Sequence, residues 1–475
     1  MEHKKPNKAR SRSGKVRSAC RTCKVRRIKC DEGKPSCSKC IKSGRPCDGY
    51  GVQVTSLVQA RESSLSSPDI HSYRSEKENR GFDYFRYKAL SELIGFDTKS
   101  DFWSHVVLRF SEASPAVFRA VLSLSALHET TYCQGSETTM ESMTFLRQYN
   151  KAIRQLCSRQ TIQPVQFTLT CCILFICLEN LRGNYDAALL HLEKGLEVLK
   201  HWHTQDVTSS EQEAREFITR AFQRLDMQAT TFLDSRQPRF NISSLDQAST
   251  RITNKPLSFV DLHQARATLE ALVSKLFYII TTKSHPQLHS WSAENTYLPA
   301  RKSLLNGLRV EFLKWKTVFD TFSHQEGQNW QEDELRLSVL LALHHHTTAL
   351  MLDIRYNTDV DGKYYGPPKD EEWTKINDIC QSMISSLSTS KSSFSADMGL
   401  IAPLYFTAMQ ADNPRISQRA IDLLYQIKWK EGFWNAGTAA RVAEKALRDQ
   451  ITGASGANST GGIAELAKVY CVTCC

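Results

Sequence analysis

The chain has 475 residues, 41% of them hydrophobic, too many for one ordinary core and enough to pack a globular body. Its formal net charge is +11, but residues 1–50 carry 16 Lys and Arg against 4 Asp and Glu, leaving 45 against 46 for everything that follows. The excess charge is confined to the N-terminal tenth, which is where a polyanion would bind, and the rest of the chain is electrostatically neutral.

Residues 1–18 read as a disordered basic arm, suited to phosphate contact or nuclear import. No apolar stretch follows these basic residues, so they do not form a secretory signal. The most apolar segment, Thr170 to Leu178, is too short to span a bilayer. No membrane association is therefore expected, and the thiols are expected to be reduced and available to metal rather than paired as disulfides.

Residues 19–49 hold Cys20, Cys23, Cys30, Cys37, Cys40 and Cys47, spaced C-x2-C-x6-C twice, with the second half displaced from the first by seventeen positions. Zinc takes four ligands in a tetrahedron. Six thiolates serve one ion with two to spare, or two zinc ions if two sulfurs are shared. The repeat favours the second arrangement and makes the shared sulfurs equivalent mates: Cys20 with Cys37, Cys23 with Cys40, or Cys30 with Cys47. The spacing does not choose among these pairs. Short helices are expected around 21–28 and 38–44. Neither is long enough to persist alone, and some thirty residues bury too little surface, so metal must supply the folding energy.

Residues 50–81 are Ser-rich and polar and read as a flexible linker, with Ser63, Ser64, Ser66 and Ser67 open to phosphorylation. No heptad pattern supports a coiled-coil arm there. From Phe82 to about residue 450 the apolar residues recur at helical spacing. Ser114-Pro115 marks a helix start, and stripes recur over 259–280, 303–320, 334–353 and 416–428. A body of about a dozen helices follows, with no 34-residue repeat, and 451–475 read as a flexible tail. Cys171, Cys172 and Cys177 lie in an apolar helix and read as structural thiols. On a helix His344, His345 and His346 point three ways and cannot converge on one ion. Gly183 reads as the C-cap of a helix–helix connection within Glu179–Tyr185. Cys471, Cys474 and Cys475 end the chain without an evident role. No phosphate-binding loop, nucleophile elbow or zinc-protease motif is present, so an enzyme is not expected.

The cysteine module resembles the fungal six-cysteine binuclear zinc cluster at every cysteine and every gap, and also in the run Lys24–Lys29 and in Asp31, Pro35 and Gly44. The resemblance implies that Cys20 and Cys37 bridge two zinc ions, with Cys23 and Cys30 completing one site and Cys40 and Cys47 the other. It implies a first helix inserted into the major groove of double-stranded DNA at CGG-type triplets, with Arg26 and Arg27 at the base-reading positions. Lys24 and Lys29 complete the expected DNA-binding set. Guanine offers two major-groove acceptors that Arg or Lys can bridge, while the lysines, with Lys39 and Lys42, suit phosphates. The segments FWSHVVLRFSEASPAVFRAVLSLSALHE and LFICLENLRGNYDAALLHLEKGLEVLK resemble the fungal-specific regulatory region that follows such clusters. The expected protein is thus a small zinc-stabilised N-terminal module plus a large all-α regulatory domain. Its expected function is that of a nuclear transcription factor for RNA polymerase II genes, with co-regulators as partners and possible homodimer formation through the helical domain. The competing reading is a zinc-stabilised or redox-responsive interaction module that does not bind DNA.

Overall fold

The computed structural model describes residues 20, 22, 23, 26, 28–31, 33, 36–44, 47, 74–96, 100, 102–133, 139–158, 163–232, 236–239, 257–281, 291–357, 369–387 and 394–452. The chain divides into two units, 1–68 and 69–475. In the first, the described residues include one helix, α1 (Ser38–Lys42). The arm, most of the linker and the C-terminal cysteines lie outside the described residues.

The second unit opens with α2 (Glu76–Tyr84). The Ser75 hydroxyl accepts from the Glu78 amide at 3.3 Å, and the Glu78 carboxylate accepts from the Ser75 amide at 3.2 Å, a reciprocal cap that satisfies two otherwise orphaned donors. Among the described residues the helical region therefore begins at Glu76 rather than Phe82, inside the stretch expected to be linker. No residue of α2 is buried, so apolar periodicity could not reveal it. A wide π-turn over Phe85–Ala89 leads into α3 (Leu90–Ile94), and a second over Phe102–Val107 into α4 (Leu108–Ala113). Then follow α5 (Pro115–Cys133), α6 (Thr139–Leu156), α7 (Val165–Arg182), α8 (Tyr185–His203) and α9 (Ser209–Phe232). The Ser114 carbonyl accepts from Phe118 at 3.0 Å and its hydroxyl from Val117 at 3.5 Å, as the Ser-Pro start requires.

The apolar segment at Thr170–Leu178, expected to be too short to span a bilayer, is the middle of the 18-residue helix α7. Both α7 and α12 (Glu332–Asn357) are long and apolar enough to cross a bilayer, by length and composition. Both are instead spent on packing: 67% of the apolar window of α7 and 56% of that of α12 is buried inside the protein. Helix α7 lies against α5 and α8 with Leu169, Leu174, Ile176 and Leu178 wholly enclosed. At its end Gly183 takes the left-handed conformation (φ 77°). Its amide donates to Asn180 O (3.0 Å) and that of Asn184 to Glu179 O (2.8 Å), while Asn184 Oδ1 caps the next helix through Ala187 N. This is the helix–helix connection expected at Glu179–Tyr185.

A second core is built by α10 (Leu262–Thr281), α11 (Trp291–Glu326) and α12. Trp315 lies at its centre. Its ring stacks on Phe319 (4.6 Å between centroids) and on His345 (5.0 Å), and its Nε1–H donates to Ala265 O at 3.0 Å, so its one polar atom is paired.

The remaining elements return to the first core: α13 (Asp370–Leu387), β1 (Phe394–Ser395), α14 (Ile401–Gln410), α15 (Pro414–Gln426), β2 (Lys430–Glu431), β3 (Trp434–Asn435) and α16 (Ala436–Thr452). The strands form a small sheet in the order β1-β2-β3. In it β1 and β2 are parallel (Ser395 opposite Glu431), and β2 and β3 are antiparallel (Glu431 opposite Trp434). The body is thus helical but not purely so, because two-residue strands are too short for alternation to register. This sheet places the fully buried Glu431 carboxylate under the start of α14. There it accepts from the amides of Gly399, Leu400 and Ile401 (2.9, 2.9 and 3.0 Å) and from Trp429 Nε1 (3.0 Å). Burial pushes its pKa up and these donors pull it down, burial being the larger effect. A Cβ on Gly399 would fall 2.5 Å from Glu431 Oε1 and 2.6 Å from the Phe96 ring, so only glycine permits the approach.

Candidate metal centre and nucleic-acid face

Helix α1 is five residues long, below the length at which a helix persists alone. It is held from outside. Asp31 Oδ2 accepts from Ser38 N (3.0 Å) and Oδ1 from Lys39 N (3.2 Å), so a carboxylate lies at the helix N-terminus. Hydrogen bonds from the Ser38 side chain and amide hold the Asp31 pKa down at about 2. Cys37 Sγ accepts from Cys40 N at 3.4 Å, and seventeen residues earlier Cys20 Sγ accepts from Cys23 N at the same distance. The repeat in the sequence is a repeat in the structure. In the first half Thr22 and Cys23 are helical, and the amides of Arg26 and Ile28 donate back to Thr22 O (3.1 Å) and Cys23 O (3.2 Å), where the first helix was expected.

The six sulfurs converge. Cys20 lies 3.6 Å from Cys37 and 3.8 Å from Cys40; Cys23 lies 3.6 Å from Cys37 and 3.9 Å from Cys40. A tetrahedron of sulfurs at about 2.3 Å from zinc has edges of about 3.8 Å, which the Cys20–Cys37, Cys20–Cys40 and Cys23–Cys37 separations fit. Two sets of four thiols have all their sulfurs within 4.8 Å of one another: Cys20, Cys23, Cys30 and Cys37, and Cys20, Cys37, Cys40 and Cys47. The members in common are Cys20 and Cys37. Burial raises the pKa of Cys20, to about 12, and also those of Cys23 and Cys37. Without a cation these three buried thiols would be held neutral, with their donors facing one another. A metal reverses that preference and takes up the lone pairs, so the donor set fits zinc.

Of the expected DNA-contacting residues, Lys24 and Arg27 lie outside the described residues. Lys29 is exposed, as are Lys39 and Lys42 on α1. Arg26 is half-buried. Its Nη1 donates to Ser43 Oγ at 2.8 Å, and Ser43 Oγ donates to Cys40 O at 3.0 Å. The residue expected to read bases is therefore also a brace between the two halves, joining positions seventeen apart. No local pattern announces this pairing, nor that of Asp31 with a helix seven residues on; only the repeat offset hinted at the first.

Comparison with known proteins places the chain. Residues 18–55 match the fungal Zn(2)-Cys(6) binuclear cluster domain, and residues 80–446 match the fungal specific transcription factor domain. The chain belongs to the fungal zinc-cluster transcription regulators. Zinc binding comes with that membership. Among similar curated proteins, the aspercryptin biosynthesis cluster-specific transcription regulator atnN of Emericella nidulans is 28% identical over 41% of this chain and 36% of its own length. The transcription regulator lscL of Purpureocillium lilacinum is 29% identical over 38% of this chain and 48% of its own. The chain thus spans about a third to a half of these relatives. White-opaque regulator 2 of Candida albicans is 42% identical over 13% of this chain and 15% of its own. No solved structure matches.

Elsewhere in this regulator the other candidate residues have structural roles. The Nε2 atoms of His344, His345 and His346 face three different carbonyls, those of Gly399 (2.8 Å), Phe312 (3.0 Å) and Glu372 (3.2 Å), so they do not converge. Cys171 and Cys177 are buried and Cys172 nearly so. Burial raises all three thiols, to about 12 for Cys172 and Cys177, leaving them unreactive.

Proposed function

We propose that this regulator is a zinc-dependent, sequence-specific DNA-binding protein that acts in the nucleus on RNA polymerase II genes. Cys20 and Cys37 each serve both of two zinc ions, Cys23 and Cys30 complete one site, and Cys40 and Cys47 the other. The observation that carries this reading is the pair of four-thiol sets with Cys20 and Cys37 in common, inside the segment that holds all the excess positive charge. Zinc supplies the folding energy that five-residue helices and a thirty-residue segment lack. Six thiolates around two divalent ions leave a net negative cluster, which Lys and Arg nearby offset while facing phosphates outward. Arg27 reads guanine in a CGG-type triplet. Arg26 braces Ser43 and borders the same face, and Lys24 and Lys29 hold phosphates. The helical domain is the regulatory part and the surface for co-regulators or a second copy of the chain.

The test is a gel-shift experiment on the purified full-length protein with a randomised duplex library. Retention should require zinc, fall steeply with added salt, and enrich G-rich triplets. Retention that survives chelation contradicts the zinc dependence, and no retention at any salt concentration favours the interaction module instead.

A further inference from the structure

Between α9, α10, α12 and α14 lies a cavity of about 590 Å³. It is partly open to solvent, and its volume lies in the range of small-molecule sites, about 300–1,000 Å³. Its walls are the facing sides of the two hydrophobic cores: Leu340 and Trp434 belong to one, Leu269, Val273 and Leu341 to the other. Its polar lining is unbalanced. Arg220, Arg224, Arg266 and Arg355 stand against two carboxylates, Glu270 and Asp397. Both carboxylates are already engaged. Arg266 Nε lies 2.7 Å from Glu270 Oε1, Arg266 Nη2 lies 3.0 Å from Asp397 Oδ2, and Arg224 Nε lies 3.2 Å from Glu270 Oε1. Arg220, one turn before Arg224 on the same face of α9, and Arg355 on α12 add positive charge at the exposed rim.

We propose that this cavity binds an amphipathic organic acid, a ligand that the reading of the zinc module neither requires nor supplies. The hydrocarbon or aromatic body lies against Leu269, Val273 and Leu341. The acid group meets the arginine rim, where a planar guanidinium pairs with a carboxylate through two parallel hydrogen bonds. A molecule that touches both cores also ties α10 and α12 to the rest of the domain, so occupancy stabilises the domain.

The test compares dodecanoate with dodecanol, below their aggregation limits, by calorimetric titration of the zinc-loaded full-length protein. Dodecanoate should bind at least tenfold more tightly and raise the melting temperature of the helical domain. The double variant Arg220→Gln/Arg355→Gln, which makes the lining electrically neutral, should bring the two affinities together without weakening the alcohol. Ala271→Trp, which fills the cavity from α10, should abolish binding of both; Ser274→Phe serves if that variant does not fold. Equal affinities for acid and alcohol in the unaltered protein, no binding of either, or undiminished binding to the filled variants each overturn the proposal.

Discussion

The two units solve the same problem with opposite means. The helical unit encloses two apolar cores and pairs buried polar groups such as the Glu431 carboxylate and the Trp315 indole internally. The cysteine unit has a core made of its own sulfurs. Its backbone is fixed by thiols accepting amides and by one carboxylate capping a helix across seven residues. One unit is held by the exclusion of water and the other by an ion, so the same treatment should dismantle one and spare the other.

Substitution of a shared thiol should show this contrast most sharply. Cys37→Ser should remove both zinc ions and all DNA retention, whereas Cys47→Ser should leave a single ion. In both, the melting temperature of the helical unit should stay within a degree or two of wild type. Zinc content by native mass spectrometry, with a thermal melt by circular dichroism, separates these outcomes; identical metal loss in the two variants breaks the assignment of Cys37 as a bridge. The reverse experiment is Glu431→Ala. It strips three buried backbone donors and the half-buried Trp429 indole N–H of their acceptor, at about 1–3 kcal/mol for each buried group left unsatisfied. The helical unit should lose several kcal/mol in urea unfolding, while zinc binding and site recognition persist.

Acid should also act unequally within the helical unit. Burial lowers the pKa of His345 to about 4 from an ordinary 6.5. Between those values the unfolded chain binds the proton and the folded chain does not, so stability is lost as pH falls from 6.5 towards 4, by about 3 kcal/mol in all. His345→Gln should flatten that part of the stability profile in chemical denaturation, and an unchanged slope would assign the acid sensitivity elsewhere. The smallest effects belong to the DNA face. Arg27→Ala should relax the choice of G at one position by about 1–3 kcal/mol. Lys29→Ala should weaken every sequence alike and reduce the salt slope by about one. A site-selection experiment that returns the wild-type logo for Arg27→Ala contradicts its assignment as a reader.

What was legible in the sequence follows the same division. Six cysteines at repeated gaps pointed to metal because ligand spacing is local, and Ser114-Pro115 and Gly183 marked helix ends for the same reason. The divergence of His344, His345 and His346 followed from helix geometry alone. Long-range pairings were not legible. Glu431 reaches back about thirty residues to cap α14, Arg26 spends a donor on Ser43, and the three strands of two residues leave no pattern. The start of α2 was missed because a helix with no buried side chain has no apolar stripe to read. That the apolar run at Thr170–Leu178 extends into a helix from Val165 was not legible, because Val165, Phe167 and Leu169 alternate with polar residues before the continuous run begins.

The central claim is that two zinc ions, held jointly by Cys20 and Cys37, create the DNA-binding form. Stepwise addition of zinc to the metal-free full-length protein, following metal occupancy and duplex retention in the same samples, tests it directly. The account predicts saturation at two ions per chain, with retention appearing as the second is taken up. Saturation at one ion, or full retention in the metal-free protein, would contradict it.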